Sequence, residues 1–166
     1  MRALSIRQPW AWLILHAGKD IENRNWCPRH PGLRFRGMCL IHAGIALQPI
    51  SDDLRTWVRR TSSVDLPRSE ELPRGGIVGQ VDVIDVVRQS SSPWFEGQCG
   101  LVLASPKPLP FVACRGRLGF FEAIAIEGLA QSHLPAALHL NTWIRPATAA
   151  ITPATAASMV HVKPVR

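Results

Sequence analysis

Pro9 and Gly18 bracket eight residues that are apolar almost throughout, Trp10-Ala11-Trp12-Leu13-Ile14-Leu15-His16-Ala17. This bracket constrains the fold more than any other feature. Proline lacks an N–H and has a fixed φ, so it suits the first turn of a helix. Glycine reaches the left-handed conformation that ends one. The segment is therefore a short helix, and a helix apolar nearly all round must be buried, as a barrel plug or across a sheet. Ala3 to Arg7 before it and the alternating run Asp20 to Trp26 after it read as strands.

The rest of the chain repeats this strand-rich texture. Cys27 to Gly32 is a turn by composition. Leu33 to Ala43 reads as a long strand with a bulge near Gly37. A helix is predicted from Ser51 to Arg60, with Ser51 as N-cap, Asp52 and Asp53 in the first turn and Arg59 and Arg60 in the last. Thr61 to Arg74 is a polar loop. Gly75-Gly76 opens the longest strand, Ile77 to Val87, which is rich in β-branched residues. Leu101 to Ala104 is a strand expected to stop at Pro106, Pro108 and Pro110, and Leu118 to Glu122 is the last. These elements predict a mixed α/β (α+β) fold: a small β-barrel of five to six strands with two main helices. The expected organisation is one domain over residues 1–125 and an Ala/Thr/Pro-rich C-terminal extension over 126–166.

The 166 residues carry 19 basic against 12 acidic side chains, a net charge of +7, and sixteen of the basic ones are arginines. Arginine pairs with phosphate and stacks on bases, so the balance favours an anionic partner, nucleic acid first. No run of apolar residues is long enough for a membrane span. The N-terminus lacks the apolar core and cleavage site of a signal peptide. The scattered Cys27, Cys39, Cys99 and Cys114 read as reduced thiols, which favours the cytoplasm. A monomer is expected; the sequence names no protein partner.

The chemistry concentrates between Ser5 and Trp26. Residues two apart in a strand share a face, so Glu22, Arg24 and Trp26 align, with Lys19 at the helix–strand junction. Such a group holds a polar ligand or positions a water, or it is simply an ion pair that ties the strand down. Cys27-x-x-His30 and Cys39-x-x-His42 have the spacing of two zinc half-sites. Cys39 and His42 share one strand, however, and residues three apart face opposite sides, so neither metal nor cofactor is expected. His42 alone reads as a hydrogen-bonded core or rim residue, or as a base. Gly75-Gly76 lacks the lysine and serine of a phosphate loop.

Ser5-Ile6-Arg7-Gln8-Pro9-Trp10-Ala11, followed by Lys19-x-x-Glu22-x-Arg24-x-Trp26, resembles the signature of the ASCH domain, a family of the PUA-like superfamily. Leu40-Ile41-His42-Ala43, Gly76 to Asp85, Trp94 to Leu101 and Gly116-Arg117-Leu118-Gly119-Phe120 extend the resemblance over roughly Ala3 to Ala123. One departure is Ala17, where the family usually has glycine. The resemblance implies a β-barrel with a basic cleft beside the first helix, where relatives bind RNA or a modified nucleotide. Gln8, Trp10, Lys19, Glu22, Arg24, Trp26 and His42 would contact the ligand. Some relatives resemble ribonucleases, others amidohydrolases acting on an acylated cytidine. If this chain is an enzyme, Lys19 and Glu22 are its catalytic candidates, and Glu22 in place of a threonine favours the ribonuclease. A protein-interaction role of transcription-coactivator type is a further alternative.

Overall fold

Alternation decides where β1 (Arg2–Gln8) sends its side chains. Leu4 and Ile6 enter one core cluster with Ile14, Ile41, Val81 and Leu101, while Ala3 enters another with Leu40, Ile77 and Phe121. The computed structural model describes residues 1–123. Their elements run β1, α1 (Trp10–His16), β2 (Ile21–Arg24), β3 (Gly37–Leu47), α2 (Asp52–Ser62), β4 (Gly76–Val87), β5 (Cys99–Ala113) and β6 (Phe120–Glu122). The strands form one mixed sheet in the order β2-β5-β4-β3-β1-β6. β1 and β3 are parallel and every other pair is antiparallel. The expected α+β class and the two main helices are present. The expected extension over 126–166 lies outside the described residues.

No backbone ladder joins β2 to β6, so the expected barrel is an open sheet. The sheet nonetheless curls until its ends meet through side chains. Arg24 at the end of β2 donates to the Ser5 carbonyl of β1 at 2.8 Å, and Trp26 lies 6.0 Å, centroid to centroid, from Phe120 of β6. α1 fills the curl: Ala11, Ile14 and Leu15 join the main core cluster. At Gly79 of β4 an added Cβ would stand 2.8 Å from the Lys107 carbonyl and strike the Leu15 side chain, so only glycine lets helix and sheet approach this closely.

Several predicted boundaries moved. Gly18 does take a left-handed φ of 69°, just past the end of α1, and the Ser51 hydroxyl caps α2 by accepting from Leu54 N at 3.2 Å. Leu33 is not in a strand: residues Pro31–Arg34 make a 3-10 turn, and β3 starts only at Gly37, whose φ is 108°. The largest correction is β5, which runs through Pro106, Pro108 and Pro110 to Ala113. Past Val102 the side of β5 away from β4 has no partner strand among the described residues, so a missing N–H costs no ladder bond with them. Three register shifts interrupt the pairing with β4, one of them where Ser105 adopts φ 51°.

Candidate functional site

β2 and the segment just beyond it place the predicted trio. Glu22 and Arg24 are two apart on β2, and their side chains meet at 3.0 Å, both largely buried. The Arg24 guanidinium lies 5.2 Å from the centroid of the Trp26 ring, which continues the same face. Arg24 Nη2 holds both Glu22 and the Ser5 carbonyl, whereas its buried Nε has no acceptor among the described residues. The pair therefore fixes the guanidinium without using all its donors.

Lys19 is placed differently. It is only 4% exposed, its ammonium donates to the Ile21 carbonyl, and it sits 5.5 Å and 5.7 Å from the ring centroids of Trp10 and Trp94. Burial pushes its pKa below the usual lysine value, opposed by the charges of Glu22 and Asp20, reinforced by Arg24 and opposed again by Glu96.

Two adjoining hollows flank β2. The larger, about 1060 Å³, runs from Ser5 and His42 past Arg24 and Trp26 to the loop at 114–119. Arg7, Arg24, Arg115 and Arg117 line it against Glu22 and Glu96, so its lining carries more positive than negative charge. The smaller, about 270 Å³, has walls of Trp10, Trp57 and Trp94 with Lys19 and Glu22 among its polar groups. Trp10 and Glu22 border both, so Lys19 faces one side of Glu22 and Arg24 the other.

The remaining predicted residues divide. His42 is 3% exposed in the wall of the larger hollow. Its Nε2 lies 3.1 Å from the Cys114 carbonyl, which can only accept, so Nε2 donates there, and Nδ1 lies 3.3 Å from the Ser5 hydroxyl. Trp26 also lines this hollow, but His30 stacks on its ring at 4.2 Å and 19°. Gln8 borders neither hollow. It is 1% exposed, and both ends of its amide are used internally: Oε1 accepts from Trp12 N and Nε2 donates to the Pro73 carbonyl. Gln8 therefore holds the start of α1 rather than facing a ligand. Among the described residues no three His, Cys, Asp or Glu side chains lie close enough to share a metal ion: Cys27 is exposed and Cys39 buried in the core.

Sequence reasoning missed Ser5, Trp57, Trp94, Arg115 and Leu118 as site residues. Only the Arg115-Gly116-Arg117 pattern carried a usable signal, two cations spaced around a glycine.

The ASCH domain family model matches residues 4–101. The chain belongs to the ASCH domain family. That match spans β1 through the start of β5, including every predicted site residue. The chain is also similar to the human protein Activating signal cointegrator 1, with 33% identity over 89 residues. Those residues are 52% of this chain and 14% of that protein, so the ASCH chain spans a small part of its relative. Family membership supports a module of RNA-binding type in general. Among the described residues no helix is long and apolar enough to cross a membrane.

Proposed function

We propose that this ASCH domain binds RNA, or a modified nucleotide within it, in the larger hollow. One observation carries the reading: a cavity of about 1060 Å³ whose lining combines four arginines with Trp10 and Trp26. Arginines supply salt-sensitive phosphate contacts, and a tryptophan face supplies base stacking of about 1–3 kcal/mol per base. The Glu22–Arg24 pair keeps one guanidinium in place before a ligand arrives, which lowers the ordering cost of binding.

Fluorescence anisotropy with a labelled single-stranded RNA tests this. The exposed Arg7 and Arg115 can be replaced without disturbing the core. Each arginine-to-alanine change is expected to weaken binding and to lower the salt slope by about 0.7, one phosphate contact on a single strand. Absence of binding at low salt, or full affinity in the double variant, overturns the proposal.

A hydrolytic reading draws on Lys19, a buried amine with a lowered pKa that shares the smaller hollow with Glu22. The same RNA followed on a denaturing gel separates the two. Intact RNA supports a binding module; cleavage lost in Lys19→Arg supports a ribonuclease. The likeness to Activating signal cointegrator 1 gives a protein-interaction role no further support, because the match covers so little of that protein.

A further inference from the structure

The segment 114–119 leaves β5, projects over the larger hollow and returns to β6. Both ends are anchored. At one end the Cys114 carbonyl bonds His42 at 3.1 Å, and the Gly116 backbone lies so close to the His42 ring that a Cβ there would strike it. At the other end Ser5 N donates to the Gly119 carbonyl at 3.1 Å, and Gly119 turns back with φ 69°. Ser5 and His42 are register partners on β1 and β3, so both anchors rest on adjacent core strands. The projection is therefore a tongue anchored at both ends.

The tongue carries an apolar side chain between two cations at the edge of the hollow. Leu118 is 99% exposed and belongs to the lining of the hollow at its mouth. The exposed Arg115 and Arg117 stand beside it, and Ile45, 80% exposed, borders the same hollow. A fully exposed leucine held on an anchored loop gains nothing from folding. Apolar side chains flanked by phosphate-binding cations are what proteins insert between stacked bases.

Resting on the RNA reading above, we propose that Leu118 is a wedge. The ligand is a base-paired RNA segment. Leu118 enters the stack while Arg115 and Arg117 hold the flanking phosphates, and the displaced nucleotide turns into the hollow. The leucine at the mouth supplies a wedge, the cations beside it phosphate anchors and the hollow behind it a space for an extruded base. Ser5 and His42 act as positioning residues for the tongue and take no part in contacting the base.

The test uses the full chain and an RNA duplex carrying one 2-aminopurine, with anisotropy of an end label read in parallel. Unstacking raises 2-aminopurine emission. Wild type is expected to bind with a several-fold rise in emission. Leu118→Ala, a change at a solvent-exposed position, is expected to lose most of that rise at protein concentrations that saturate the anisotropy signal. Arg115→Ala/Arg117→Ala is expected to lose affinity and about two units of salt slope, on the order of 0.9 per phosphate on a duplex. Binding without a rise in wild type, or an unchanged rise in Leu118→Ala, overturns the wedge and leaves RNA binding standing. A Leu118→Ala protein whose altered property is self-association also overturns it. Failure to bind single-stranded and paired RNA alike removes both readings.

Discussion

Lys19 shows how much one buried charge decides. Its ammonium has a carbonyl and two tryptophan rings for company, and burial holds its pKa below 10.5. Between that lowered value and 10.5 the unfolded chain binds a proton that the folded chain does not, so this group's contribution to stability rises with pH. Cys39 works the other way: burial raises its thiol to about 12 from 9.0, so above pH 9.0 the unfolded chain loses a proton that the folded chain keeps, and stability falls. Lys19 must therefore be read as a difference. Urea midpoints of wild type and Lys19→Met, compared from neutral pH to 10.5, are expected to shift in favour of wild type as pH rises; parallel curves would contradict the buried placement. A second check is chemical. A thiol reagent at mildly alkaline pH is expected to modify the exposed Cys27 in the native protein, and Cys39 and Cys99 only after unfolding.

Among the elements, α1 and β4 depend on each other through one missing side chain. Gly79 lets Leu15 lie directly on the strand, and a methyl group there meets Leu15 and the Lys107 carbonyl together. Gly79→Ala is expected to cost about 1–3 kcal/mol by overpacking. Thermal or urea unfolding reads this directly, with Leu15→Ala in the same chain restoring part of the loss if the clash is the cause. β1, α1, α2 and β4 were legible in the sequence because local signals agree in each: period-two alternation, a capping serine, a proline–glycine bracket, a β-branched run. β5 was not. Three prolines argue against a strand when the chain is read alone. What makes them acceptable is that the pairing with β2 stops at Val102 and leaves one side of β5 without a strand partner among the described residues. That fact belongs to a neighbouring strand.

At the scale of the described fold, Arg24 ties the edge strand β2 to β1 across the curl. It joins β2 to the Ser5 carbonyl of β1 while neutralising a largely buried Glu22. Arg24→Ala leaves that carboxylate without its partner and is expected to cost about 3 kcal/mol, more than an exposed ion pair such as Arg59–Asp65 would. Chemical denaturation of the two alanine variants, Arg24→Ala and Arg59→Ala, checks the ranking, and similar losses would refute it. The sequence by itself determined the strand–helix–strand opening, the basic character and the alignment of Glu22, Arg24 and Trp26, because each is set by spacing within one element or by composition. Tertiary structure alone decided that Lys19 and Arg24 face different hollows, that Gln8 is spent on α1, and that a tongue more than a hundred residues from Ser5 in sequence closes over it. Sheet curl and strand order bring those groups together or part them, and neither is encoded in the spacing of nearby residues.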